Sequence, residues 1–222
     1  MPTHDARPLD AGLEVRLNGS MASSPQPVLL FLHGRYGLRD DLSWIAERAP
    51  APWRTVMLQG SVPLGDRFEW FRVSDENGRG ALSADAAPAA DRLLSWIEET
   101  VGDAPVGAVG WSQGGATALQ ALRRAPGRLR FVVTLGGFTT LDGECGDAEL
   151  EERRPPVFWG RGADDTAITA DDLARMREFL PAHSTLEERV YPGTGHDLSD
   201  AMADDALRFI AAQSGTLEAV AG

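Results

Sequence analysis

Five largely apolar runs punctuate the chain: "VLLFL" (28–32), "TVML" (55–58), "VGAVG" (106–110), "RFVVTL" (130–135) and "PVFWG" (156–160). A strand that is apolar on both faces is covered on both faces, the usual condition of a parallel sheet. "LEVRL" (13–17) and "EERVY" (187–191) mix charged and apolar positions, so they read as edge or more exposed strands. Between the runs lie stripes of helical period. Leu42, Ile45, Ala46 and Ala49 form one; Ala90, Leu93, Leu94 and Ile97 the next; Gly115, Ala118, Leu119 and Leu122 a third. Leu173, Met176 and Leu180 continue the series, and Ala203, Ala206, Leu207 and Ile210 end it. Strands alternating with helices predict an α/β fold, a doubly wound and mostly parallel sheet with helices on both faces.

Residues 18–27 read as a turn or loop, and the last residues, "GTLEAVAG", as frayed. Two stretches resist assignment. Residues 59–83 carry Pro63, Gly65, Gly78 and Gly80 with Phe68, Trp70 and Phe71 between them, and 136–154 are Gly-rich and acidic. Both follow strand ends, where open α/β sheets bind their ligands, so both are candidate pocket walls.

The 222 residues suit one α/β domain, 1–222, with a core over about 26–212 and no room for a large lid domain. The net charge of -12 argues against a nucleic-acid partner, which needs a basic surface. Every one of the 21 basic residues is Arg. The single cysteine, Cys145, allows neither an internal disulfide nor a cysteine metal centre. No apolar h-region opens the chain and no run of 18 apolar residues occurs, so a cytoplasmic protein with no integral membrane association is expected.

"AVGWSQGGATALQALRR" (108–124) contains Gly110-Trp111-Ser112-Gln113-Gly114, a G-x-S-x-G. The pattern is short enough to arise by chance, so its flanks decide. A strand pattern precedes it and a helix pattern follows, the setting of a nucleophile elbow. The turn brings strand and helix backbones together, so a Cβ at Gly110 or Gly114 is expected to clash. The serine is held in strained backbone geometry that lifts its Oγ above the sheet, and the helix N-terminus behind it suits a developing oxyanion.

A serine nucleophile needs a base, and the base needs an orienting carboxylate. His4 lies in the N-terminal tail and His183 reads as a surface residue after a helix. His33 ends a strand and reads as structural, shaping the loop that follows. His196, in "YPGTGHDLSD", lies in a Gly-rich loop before the last helix and is the candidate base; the alternative is a loop histidine that caps that helix. Asp164 and Asp165 lie beyond the strand "PVFWG". Ser112, Asp165 and His196 then run in the chain order of this fold, and the unused aspartate reads as a helix N-cap. The oxyanion donors are the backbone N–H groups of Gln113, after the nucleophile, and of Arg35, in the loop "HGRYG".

With these residues in place the chain resembles the α/β-hydrolase carboxylesterase, lysophospholipase and acyl-protein thioesterase family, in its small bacterial esterase branch, over roughly residues 26–212. The resemblance rests on "LHGRYG", "EWF", "GWSQGG", "GADDTAI" and "GTGH". Laid on the family's acid loop, Gly162 and Ile168 pick Asp165 over Asp164. The chain departs at Thr166 and Thr169, where proline is common, at "FWGRG", where His-Gly would precede the acid loop, and at Arg35-Tyr36, which replaces a small or apolar pair. The resemblance implies a serine esterase without metal or cofactor. Its implied substrate is a small-molecule ester or a lipid-like one, and homodimers occur in the family. Tyr36, Trp70, Phe71 and Trp111 are candidate substrate-pocket residues, with core aromatics the alternative for the two tryptophans and Phe71. The leading expectation is a carboxylesterase for short to medium acyl chains. A lysophospholipase or thioesterase, a dienelactone-hydrolase-like enzyme (which would carry Cys where Ser112 stands), a small peptidase, and a non-catalytic hydrolase-fold binding protein are the alternatives.

Overall fold

The computed structural model describes residues 15–17, 26–72, 83–140 and 142–218. Seven strands make one sheet: β1 (Val15–Leu17), β2 (Val28–Leu32), β3 (Arg54–Leu58), β6 (Val106–Trp111), β7 (Phe131–Leu135), β8 (Pro156–Gly162) and β9 (Thr185–Tyr191). Their order is β1-β3-β2-β6-β7-β8-β9, with β1 antiparallel and every other neighbour pair parallel. The five apolar runs are the five inner strands. The two mixed segments, β1 and β9, are the edges.

The inner strands are mostly apolar because each serves two cores. On β2, Val28, Leu30 and Leu32 face one side, packed with helices α2 (Ser83–Trp96), α3 (Gln113–Arg124) and α5 (Ala170–His183). Leu29 and Phe31 face the other, packed with α1 (Ser43–Ala46) and α6 (Asp200–Glu218). The doubly wound expectation therefore holds.

The differences lie where periodicity is short. The stripe from Leu42 to Ala49 is a 3-10 turn, Arg39–Leu42, followed by the single helical turn of α1. Leu42, Ile45 and Ala46 are still buried, but Pro50 and Pro52 follow at once and leave no room for a longer helix. The unassigned stretch 59–83 holds a hairpin, β4 (Val62–Leu64) paired with β5 (Arg67–Glu69), and the acidic stretch holds α4 (Asp147–Arg153). Helix α6 runs through Glu218, so the first half of "GTLEAVAG" is helical; residues 18–25, most of the expected loop, lie outside the described residues.

The chain runs outward from β2 to β3 and then crosses back to β6. β2 and β6 pair with Leu32 opposite Gly110, so the loop after β2 and the turn after β6 rise side by side at the point where the strand order reverses. A crevice there is the expected ligand site of an open α/β sheet.

Candidate active site

Ser112 sits between β6 and α3 with φ 51° and ψ -117°, a conformation rare for a residue with a side chain. The glycines around it are required by close approach. A Cβ on Gly110 would lie 2.4 Å from the Gly114 carbonyl, and one on Gly114 would lie 2.2 Å from the Leu32 carbonyl oxygen. Helix α3 thus starts against the end of β2, and only glycine permits it.

The Ser112 hydroxyl lies 2.9 Å from His196 Nε2. His196 Nδ1 lies 2.7 Å from Asp165 Oδ2. The other Asp165 oxygen accepts from the N–H groups of Ala167 at 2.9 Å and Ile168 at 3.1 Å. The carboxylate is 3% exposed, so it is itself nearly withdrawn from water. Asp164 is exposed and is not the cap of α5; its N–H donates to the Thr194 carbonyl at 3.0 Å. The cap of α5 is Thr169, whose Oγ1 accepts from the Asp172 N–H at 3.1 Å and donates to its carboxylate at 2.7 Å. That capping box gives Thr169 its place at the start of α5.

The loop after β2 is built around His33. The Gly60 N–H donates to Nε2 at 2.9 Å, so the ring proton is on Nδ1, which donates to the Gly34 carbonyl at 2.6 Å. Burial pushes the His33 imidazole below its ordinary value and keeps it neutral. It is structural, as expected. His183 is less exposed than expected: its ring stacks on Phe179 with centroids 4.0 Å apart, and Nδ1–H donates to the Phe179 carbonyl. Gln113 opens α3, so its N–H has no intrahelical acceptor. Among the described residues the Arg35 N–H likewise donates to no backbone carbonyl.

Four side chains were candidates for a pocket. Tyr36 is 58% exposed at the loop tip, with φ 61°. Trp70 and Phe71 are core residues, 1% and 3% exposed, and neither offers surface to an open cleft. Trp70 is drawn inside by two hydrogen bonds, from Nε1 to the His33 carbonyl and from N to Gln113 Oε1, both 2.8 Å. Trp111 stands against His196, ring centroids 4.7 Å apart and planes 30° from parallel. Its indole fills the space above two glycines: a Cβ on Gly34 would lie 2.6 Å from it, and one on Gly136 2.7 Å. A surface pocket lined by Trp53, Leu129, Phe131, Arg153 and Gln213 lies at the amino ends of β7 and β8, the end of the sheet away from Ser112.

Sequence reasoning missed two side chains beside the site. The Gln113 carboxamide is buried and bridges Trp70 N–H and the Phe71 carbonyl, accepting at 2.8 Å and donating at 2.7 Å. Glu69, 2% exposed, accepts from Arg35 Nε at 2.9 Å. Neither is signalled by period or motif; "EWF" marked the segment without saying what its glutamate holds.

A mostly parallel, doubly wound sheet with a serine elbow at its switch point, and a histidine and a carboxylate on later loops, defines an α/β hydrolase. The chain belongs to the Phospholipase/Carboxylesterase family, whose profile matches residues 19–214. It is thereby a hydrolase acting on ester bonds. Among solved structures it is similar to the carboxylesterase from Mesorhizobium loti, at 20% identity over 91% of this chain and 96% of that one, with a TM-score of 0.75. The Bacillus cereus carboxylesterase matches at 19% identity, 90% and 94% coverage and a TM-score of 0.75. SOBER1 from Arabidopsis thaliana matches at 20% identity, 83% and 97% coverage and a TM-score of 0.69. At these identities the likeness speaks for the fold. No curated protein matches the chain. Among the described residues, no helix is long and apolar enough to cross a membrane.

Proposed function

We propose that the protein is a serine carboxylesterase that hydrolyses carboxylic esters of short to medium acyl chains. Ser112 is the nucleophile, His196 the base and Asp165 the orienting carboxylate. The observation that carries the reading is the unbroken line of hydrogen bonds from Asp165 through His196, 2.7 Å and then 2.9 Å, ending on a serine in a strained backbone conformation.

The Ser112 oxygen attacks the ester carbonyl carbon as its proton passes to His196 Nε2. The carbonyl electrons move onto oxygen, and the N–H groups of Arg35 and Gln113 hold the resulting oxyanion. The imidazolium gives its proton to the leaving alkoxide as the ester bond breaks, leaving an acyl group on Ser112. Water repeats the sequence: its proton goes to His196, its oxygen to the acyl carbon, and Ser112 recovers its proton as the acid departs. Asp165 keeps Nδ1 protonated and stabilises the imidazolium without itself taking up the proton.

Among the described residues the elements around Ser112 are one sheet, its flanking helices and a short hairpin, with no further domain inserted, and this supports short to medium acyl groups. Exposed Tyr36 and Leu38 beside the half-exposed Arg35 also give the rim an apolar and cationic character. That favours one second reading, a lysophospholipid substrate. A series of nitrophenyl esters of rising chain length, run beside a lysophospholipid and an S-acyl peptide, tests both. The proposal expects highest kcat/KM on the short to medium esters and no turnover by Ser112→Ala. Full activity in Ser112→Ala contradicts it.

A further inference from the structure

The hairpin strand and the two residues after it hold both sides of the proposed oxyanion site. Arg67 donates to the Tyr36 carbonyl at 3.5 Å. Phe68 and Gly37 exchange both backbone hydrogen bonds, each 3.1 Å. Glu69 takes the Arg35 Nε at 2.9 Å, and Trp70 Nε1 takes the His33 carbonyl at 2.8 Å. Four consecutive residues thus grip residues 33–37, which include the donor Arg35. The next grip is on the other donor residue, since Trp70 N–H and the Phe71 carbonyl close on the Gln113 carboxamide at 2.8 and 2.7 Å.

Such a grip has a use. An oxyanion donor counts only where it lies about 3 Å from the developing charge, so the separation of two donors on different strands must be fixed in advance. Gln113 is fixed by the sheet, through α3 and β6. Arg35 lies in an exposed turn next to Tyr36, which occupies a left-handed conformation unfavourable to a side chain. Something must hold that turn. Glu69 is a buried carboxylate that accepts from Arg35, and a charge is kept at 2% exposure only when it is paired.

We propose that Glu69 and the Gln113 carboxamide are positioning residues, and that residues 67–71 form a clamp setting the distance between the backbone donors of Arg35 and Gln113. The proposal rests on the reading of Ser112 as nucleophile and of those two N–H groups as oxyanion donors.

The test uses Glu69→Met. It is close in volume, and replacing a buried charge by an apolar group is tolerated when the released partner can reach water, as half-exposed Arg35 can. Glu69→Gln, which keeps an acceptor for Arg35 Nε, is the conservative control. Each is assayed on a nitrophenyl ester and on the matching thionoester, whose sulfur is a poorer acceptor for oxyanion donors. Complete loss of one donor costs about 10²–10³ in kcat. Displacement of one is expected to cost Glu69→Met on the order of 10-fold in kcat on the oxygen ester, with little change in KM. The thionoester rate changes much less, so the oxygen-to-sulfur ratio falls, and Glu69→Gln restores most of it. If Glu69→Met does not fold, the double variant Arg35→Met/Glu69→Met removes the whole pair, retains the backbone N–H of residue 35, and must show the same fall. An unchanged ratio in a folded variant overturns the proposal while leaving Ser112 as nucleophile, provided Ser112→Ala is inactive. A wild type that hydrolyses neither ester overturns both.

Discussion

Asp165→Asn changes one oxygen to an amide nitrogen, and the structure dictates which way the new group turns. Oδ1 of Asp165 accepts from two backbone N–H groups, those of Ala167 and Ile168, while Oδ2 accepts from His196. If the asparagine oxygen stays on the two N–H groups, its NH2 faces His196 Nδ1. The opposite orientation sets the NH2 against two donors in a site that is almost fully buried, and each unmatched donor there costs about 1–3 kcal/mol. The first orientation wins. His196 relieves its one conflict by moving the proton from Nδ1 to Nε2. Nε2–H then donates to Ser112 instead of accepting from it, and the hydroxyl has no base. The expected loss is about 10⁴ in kcat, or roughly 5 kcal/mol at 1.36 kcal/mol per decade. Three hydrogen bonds survive, so Tm should barely move. Asp165→Ala imposes no tautomer and is expected to lose no more activity than Asp165→Asn. Steady-state hydrolysis of a nitrophenyl ester, with a thermal melt of each variant, measures this. A folded Asp165→Asn that loses less than about tenfold would refute the assignment of the carboxylate and the tautomer argument with it.

Gly114→Ala puts a Cβ 2.2 Å from one backbone oxygen and 2.5 Å from another. Overpacking near the upper end of the usual 1–3 kcal/mol, less about 1 kcal/mol of helix propensity, leaves a loss of about 2 kcal/mol in urea unfolding; an unchanged midpoint contradicts the close approach. Trp111→Phe keeps an aromatic face on the His196 ring, whereas Trp111→Leu removes it. The leucine variant is expected to lose on the order of 2- to 30-fold in kcat with KM little changed, the range of a cation–π contact to the imidazolium, and equal rates in both variants contradict this. His33 is held neutral by burial, so its folded-state value is depressed. Below about pH 6.5 the unfolded chain takes up a proton that the folded chain refuses, and the stability present above that pH falls by up to about 1.4 kcal/mol per unit. Urea unfolding at pH 7.5 and 5.5 should show a smaller drop for His33→Gln than for wild type; equal drops contradict it.

The inner strands are legible because each residue of "VLLFL" is buried on one of two cores, and a run without polar positions has few other places to go. The elbow is legible because steric demand at Gly110 and Gly114 is written as residue type. What period cannot carry was lost. Helix α4, "DAELEER", buries only Leu150, so it has no stripe to read. Strands β4 and β5 are three residues each and owe their shape to pairing with each other and with Gly37. Trp70 and Phe71 sit in that irregular segment, where the sequence does not reveal that hydrogen bonds to His33 and Gln113 pull them into the core. The distances among Ser112, His196 and Asp165 depend on three loops that meet only in the folded sheet; chain order named them, and the fold brings them within hydrogen-bond reach.

The central claim is that Ser112 is an activated nucleophile. Wild-type protein and Ser112→Ala, each confirmed folded by circular dichroism, are treated with a fluorophosphonate and read by intact mass and peptide mapping. The account predicts one adduct per wild-type chain, on the peptide carrying Ser112, and none on Ser112→Ala. Absence of labelling on the folded wild type, or labelling that persists in the variant, contradicts it.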